Sequence, residues 1–284
     1  MLMLTTPVPQ GFNFRSVVDS HGWRSLAPFM WDAEGGVLRR IHQLADGTLL
    51  DLFMHPGGIT LTPTVERLSA TQMIAIEQDI RQMLSMDWDM SAAYAALGQH
   101  TRYQWLATAC AGRLLVGPTV WEDLAKTLLT TNTTWRQTIA MNARLCQLGD
   151  ALGDAHAFPT PERIAAMNED DLQTAIRAGY RTAYLHELAK RIAHGELDVE
   201  SWRQLPSEAI YQVVLGLKGF GNYAAGTMVR LLGHFDRLAI DTECRAAYKR
   251  VTGSETATDQ EIKAYYGQFG LHQGLAMWMD IMSD

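Results

Sequence analysis

The chain has 284 residues, enough to bury a sizeable core in one large or two fused domains. Its 47% hydrophobic and 19% charged residues describe a folded chain and not a disordered one. A net charge of −7 excludes a protein that binds nucleic acid over its whole surface. No apolar run approaches about 18 residues, so no membrane span is expected. The N-terminus MLMLTTPVPQ lacks a basic stretch before an apolar core, so no secretory signal is read and the expected place is the cytoplasm.

The first sixty or so residues read as strands. Phe12 to Val18 is short, aromatic and β-branched. Val37 to Leu44, Thr48 to Met54 and Gly58 to Thr62 follow, separated by Ala45-Asp46-Gly47 and His55-Pro56-Gly57. Asp-Gly and Pro-Gly are turn signals, so the segment is expected to be an antiparallel meander. Trp23, Phe29 and Trp31 lie in the connection, where they would cover one face of the sheet. From Ser69 onward the pattern is helical: Ser69 and Gln72 form a capping box before Met73, Ile76, Ile80, Met83 and Leu84. Met86 to Met90 breaks the run, and Ser91 starts a short helix to Leu97. The fold class expected is α+β, mostly α, with an N-terminal β domain and linking helix over 1–87 and a helical body over 88–284.

In the body, Thr119 caps a helix carrying Trp121, Leu124, Leu128 and Leu129. The run Thr130-Thr131-Asn132-Thr133-Thr134 is a poor helix interior, because its side chains compete for backbone hydrogen bonds, and it reads as a turn. A capped helix follows Pro159-Thr160-Pro161, and Gly179 and Tyr180 before another helix read as a close approach between helices. Cys110, Cys146 and Cys244 contain no CxxC pair, so neither a zinc site nor a disulfide framework is expected, and Cys110 and Cys146 read as small buried hydrophobes.

The most informative stretch runs from Ser207 to Gly253. Ser207 reads as an N-cap to an apolar helix over Ala209 to Leu217. Gly219 and Gly221 around Phe220 cannot continue it, and a second helix, Asn222 to Leu232, carries Ala224, Ala225 and Gly226 where it must pack tightly. Such a hairpin leaves N–H groups unpaired beside a helix N-terminus, a seat for a phosphate. A second helix of this kind is roughly 16 Å long, so a return loop from Gly233 to Arg237 can bring Asp241 back alongside it. Asp241 opens a helix over Thr242 to Val251, and capping is one reading of it. Between Tyr211 and Gly253 six bases face three acids, a local +3 that leaves −10 for the remainder, and this reads as one basic face on an acidic body.

Leu217, Gly219, Phe220, Gly221 and Ala224, with Asp241 twenty residues after Gly221, resemble the helix-hairpin-helix DNA glycosylases. The resemblance touches most of Val116 to Met282. It implies that Asp241 is catalytic, that the hairpin from Leu217 through Lys218 to Gly221 grips DNA through backbone N–H groups, and that its carbonyls can hold a monovalent cation. Arg245 stands one position before the Arg that several branches carry, so its match as a DNA contact is loose. The four-cysteine iron–sulfur cluster of some members is absent from this chain. The Thr-Thr-Asn turn is similar to that of 8-oxoguanine-type members, which would set Asn132 in the duplex gap, while Gln137 stands where those enzymes place an Arg that inspects the partner base.

Members that also cut the strand carry a Lys where this chain has Tyr223, so the resemblance implies a monofunctional glycosylase acting on double-stranded DNA with a damaged base, as a monomer. Tyr223, Trp278 and Trp135 would form an aromatic base pocket, although ordinary core packing is also a reading of each. Cationic alkylated purines stack well on aromatic faces, so 3-methyladenine-type lesions are favoured. An 8-oxoguanine-type substrate, with or without lyase chemistry from Lys218, and a non-catalytic damage-binding module stay open.

Overall fold

The turns at Asp46-Gly47 and Pro56-Gly57 organise a five-stranded antiparallel sheet in the computed structural model, which describes residues 2–4 and 8–283. Its strands are β1 (Leu2–Leu4), β2 (Phe29–Asp32), β3 (Val37–Gln43), β4 (Leu49–His55) and β5 (Gly58–Pro63), in the order β1-β5-β4-β3-β2. Gly47 supplies the positive φ of 86° that the first of these turns needs. Alternation along β4 sends Leu50, Leu52 and Met54 inward, as a sheet with one buried face requires.

Two expectations fail here. Phe29 and Trp31 do not cover the sheet from a loop but lie in β2, paired with Arg40 and Leu38. Phe14–Val18 is a helix, α1, because the Asn13 side chain accepts from Ser16 N–H and caps it, which outweighs the β-branched composition.

Helices account for most of the remainder: α2 (Ala70–Met83), α3 (Ser91–Leu97), α4 (Trp105–Ala109), α5 (Val120–Thr130), α6 (Trp135–Cys146), α7 (Pro161–Ala165), α8 (Glu169–Ile176), α9 (Arg181–Ala193), α10 (Ser207–Leu215), α11 (Asn222–Leu231), α12 (Thr242–Thr252), α13 (Asp259–Gly267) and α14 (Gln273–Met282). A small hairpin, β6 (Ala151–Leu152) and β7 (Ala155–His156), follows α6. The capping boxes at Ser69/Gln72 and Thr134/Gln137 start α2 and α6, and Thr119 caps α5. Ser207 is not the cap of α10; Pro206 holds that position, and the Ser207 hydroxyl has no hydrogen-bond partner among the described residues.

Two apolar clusters form the interior. The larger joins the inner face of the sheet to α2, α5, α9, α10 and α11 through residues such as Leu52, Ile80, Leu128, Leu185, Val214 and Met228. The smaller gathers α3, α12, α13 and α14 around Leu97, Tyr266, Leu275 and Met277. Trp88, Tyr223 and Trp278 pack against both clusters, so they mark the line where the two lobes meet. Among the described residues no helix is long and apolar enough to cross a membrane.

Candidate active site

Glycines decide where Asp241 lies. A Cβ on Gly226 of α11 would sit 2.7 Å from the Leu238 carbonyl oxygen, so only glycine lets the returning chain cross that helix. Gly274, in the first turn of α14, meets the loop from the other side: its N–H donates to the Phe235 carbonyl at 2.6 Å, and a Cβ there would lie 2.3 Å from the Arg237 carbonyl oxygen. The segment 235–239 is thus held between two helices, and the next turn of chain presents Asp241. That residue caps α12, one carboxylate oxygen accepting from Cys244 N–H at 2.8 Å. The other oxygen makes no hydrogen bond among the described residues.

Asp241 opens onto a cleft of about 870 Å³ between the two lobes. Tyr223, Trp278, Trp135 and Asn132 line the same cleft, so the structure unites the acid, the three aromatics and the turn Asn. Tyr223 and Trp278 pack on the core and also face the cleft. Trp135 is 42% exposed and packs beside Gly22, where a Cβ would lie 2.4 Å from its ring. Trp278 is held by its Nε1 donating to the Ser20 carbonyl at 2.9 Å. The Tyr223 phenol is raised above its ordinary range by burial and by the negative charge of Asp241.

The turn Thr131-Asn132-Thr133 is held from below by Arg181 of α9, whose guanidinium donates to the carbonyls of Thr131 and Asn132. Asn132 adopts a left-handed φ of 47°, and its Nδ2 donates to the Tyr180 hydroxyl at 3.3 Å. Tyr180 is half-exposed, and a Cβ on Gly179 would meet nothing within 4 Å. No close approach of helices needs Gly179; its φ of 61° does. Gln137 is engaged in the α6 cap, its side-chain oxygen accepting from Thr134 N–H at 3.2 Å.

The hairpin stands apart from this cleft. Leu217 and Phe220 bury their side chains in the core, so only their backbone is available to a ligand. Gly219 needs its φ of 87°, and a Cβ there would press on Leu128 and Tyr184, each at 2.7 Å. Around Gly221 there is open space, and the N–H groups of Gly219 and Gly221 have no hydrogen-bond partner among the described residues. The expected basic face is largely neutralised. Lys218 pairs with Glu187 at 2.7 Å, Arg237 with Glu208 and Asp236, and Arg245 with Asp259, the last also donating to the Ala257 carbonyl outside the cleft. Arg250 donates to the Asp280 carbonyl, and Arg230 is buried. Of the six bases only Lys249 is exposed with no partner among the described residues.

Several cleft residues went unforeseen, and three of them carry polar or aromatic groups from buried positions. His21, Trp23 and Arg230 line it, the first two arriving from the N-terminal segment. Burial drives the His21 imidazole down to about 3, so it is neutral, and its Nε2 donates to the Leu115 carbonyl. Trp23 Nε1 donates to Asp123 at 2.7 Å. The Asp123 carboxylate, which also accepts from Gly117 N–H at 2.8 Å, is pushed up to about 6 by burial. Arg230 reads in sequence as one more base on a solvated helix, and only tertiary packing shows it inside. Among the described residues no group of three or more His, Cys, Asp or Glu side chains is arranged to hold a metal ion.

Residues 125–268 match the model of the HhH-GPD superfamily base excision DNA repair protein. No curated protein matches the chain in sequence. Among solved structures, the chain is similar to the 3-methyladenine DNA glycosylase of Archaeoglobus fulgidus, with a TM-score of 0.75 and 17% identity over 99% of this chain and 98% of that one. It is also similar to the 8-oxoguanine glycosylase/lyase of Clostridium acetobutylicum in its apo form, with a TM-score of 0.73 and 14% identity over 100% of both chains. The same Clostridium enzyme bound to double-stranded DNA with cytosine opposite 8-oxoguanine gives 0.73 at 14% identity over 99% and 98%. At these identities the shared property is the fold.

Proposed function

The chain belongs to the HhH-GPD superfamily of base excision DNA repair proteins, and from that premise we propose that it is a monofunctional DNA glycosylase acting on a damaged purine. The carrying observation is Asp241: one oxygen is fixed by the Cys244 N–H, the other is unengaged, and the residue opens on an aromatic cleft large enough for a base. A purine stacked in a duplex hides its glycosidic bond, so the nucleotide must be extruded into such a cleft. As the C1′–N9 bond breaks, positive charge builds on the sugar, and a fixed carboxylate in a dry site stabilises it. Water then bonds to C1′, its proton passing to Asp241 or solvent.

Strand cleavage through an imine would need a neutral amine within reach of C1′. No lysine lines the cleft among the described residues, and Lys218 is ion-paired with Glu187 outside it. Grip on the duplex is assigned to the amides of Gly219 and Gly221, unpaired among the described residues, with Asn132 in the cleft lining and Tyr180 bonded to it. The test is incubation with duplexes that each carry one damaged base, followed by alkali to reveal abasic sites. Abasic sites without a borohydride-trapped adduct are expected. A trapped adduct would remove the monofunctional reading, and intact duplexes throughout would remove the glycosylase reading.

A further inference from the structure

One cleft residue has no task in that chemistry. Arg230, in the last turn of α11, is 4% exposed and lines the cleft with Asp241. Among the described residues its guanidinium makes no hydrogen bond and no ion pair, and its Nη1 is buried without a partner. Its guanidinium lies over the ring of Trp278, with Cζ 4.0 Å from the centroid, and Tyr223 and Asp241 act on its charge without bonding to it among the described residues. Trp278 in turn is fixed by Ser20, so the guanidinium plane has a set orientation. A guanidinium offers a planar fan of donors suited to paired oxygen and nitrogen acceptors, and a buried one normally has them filled. Here the missing acceptors are those of whatever enters the cleft.

We propose that Arg230 selects and activates the base: it donates to the acceptor edge of an extruded neutral purine that carries a ring carbonyl, and it turns away cationic N-alkylated purines. This rests on the glycosylase reading above. When a neutral purine departs, the electron pair of the C1′–N9 bond moves onto the base, and the negative charge spreads to its carbonyl oxygen. The guanidinium hydrogen bond stabilises that charge while Asp241 stabilises the positive sugar, so the two residues polarise one bond from opposite ends. Arg230 keeps its protons. The base anion takes a proton from water, and the hydroxyl oxygen at C1′ comes from the attacking water. A cationic alkylpurine leaves as a neutral molecule and gains nothing from the guanidinium, while like charge in a cleft of low dielectric repels it. The same contact revises the expectation for Trp278: one face of its indole is already covered by a cation and is not free for a second.

The experiment compares single-turnover release from duplexes carrying 8-oxoguanine or hypoxanthine, both neutral carbonyl purines, with release from a duplex carrying cationic 7-methylguanine. Wild-type protein, Arg230→Met, Arg230→Lys and, as a blank, Asp241→Asn are measured side by side. Wild type should release a neutral purine at least about tenfold faster than 7-methylguanine. Arg230→Met should lower that release by about 100-fold, the scale of one lost oxyanion donor, while 7-methylguanine release holds or rises. Arg230→Lys, which keeps the charge but not the planar stack, should fall between the two on neutral purines and still reject the cation. Faster 7-methylguanine release by wild type overturns the proposal without any variant. An equal loss on every duplex in both Arg230 variants also overturns it, since that is the signature of a residue that only supports the fold. Release of no base at all by wild type is a different result and sinks the glycosylase reading itself.

Discussion

Two buried cationic sites in this molecule are built on opposite principles. At the seam between sheet and helices, Arg40 of β3 makes two hydrogen bonds to Glu122 of α5, at 3.3 and 3.0 Å, and Lys126 one turn on donates to the same carboxylate at 2.7 Å. All three side chains are essentially inaccessible, and the rings of Phe29 and Phe158 close over the cations. Burial works against the charge on Glu122, but Arg40 and Lys126 outweigh it and hold the carboxyl down to about 2. In the cleft, Arg230 is equally buried and has the Trp278 ring over it, but among the described residues no carboxylate within hydrogen-bonding or ion-pairing distance. Desolvating an ion costs several kcal/mol even after relaxation, so the two sites differ in where their compensation comes from. The first holds its own counter-ion, leaving only the Arg40 Nε unpartnered among the described residues, and belongs to the fold; the second has no bonded counter-ion and belongs to a ligand.

The sharpest test of that division is Asp241→Asn, which removes the charge of the capping carboxylate without disturbing its cap. Asn is a comparable N-cap, so the melting temperature should hold, while base release falls by about 10³-fold and duplex affinity is retained. Normal release by the Asn variant would end the catalytic assignment. Next in size is a pair of stability measurements. Glu122→Ala strands two buried cations and should cost about 3–5 kcal/mol in urea unfolding, whereas Arg230→Met replaces an unpaired buried cation and should be neutral or stabilising. Equal losses in both variants would erase the contrast.

A smaller effect concerns pH. His21 is neutral when folded, down to about 3, and protonates near its ordinary value when unfolded. The unfolded chain therefore binds the extra proton, and stability is lost as pH falls below about 6.5, by at most about 1.4 kcal/mol per pH unit. Asp123, pushed up to about 6, takes up its proton sooner when folded and tilts the curve the other way as pH drops through 6. His21→Gln should therefore flatten the decline in melting temperature between pH 7 and 5; an unchanged decline would place its origin elsewhere. The smallest effect is on salt dependence. With most of the local bases paired, the affinity-versus-salt slope should be shallow, and Lys218→Ala should reduce it by no more than about one phosphate contact. Gly221→Asp, aimed at open space, should weaken binding to damaged and undamaged duplexes alike while leaving the fold intact.

What could be read beforehand follows the range of the forces involved. Asp46-Gly47, the Ser69/Gln72 and Thr119 caps and the hairpin glycines are local devices, and each stands where its residues place it. Asp241 was legible because an interval from the hairpin fixes it. The β2 strand was not, since Phe29 and Trp31 look the same in a strand and in a covering loop until β3 pairs with them. The Asn13 cap that turns Phe14–Val18 into a helix was overlooked against a strand-like composition. Arg230, His21 and Trp23 were invisible for a different reason. Burial and orientation come from partners far along the chain, and charge counted along the sequence says nothing of the acids that neutralise it from other helices.

The hydrogen bond from Trp278 to Ser20 spans 258 positions of sequence, and with His21 and Trp23 it closes the cleft from the opposite end of the chain. During synthesis the hairpin and Asp241 emerge before α14, so the cleft gains its last wall only when that helix docks against the N-terminal segment.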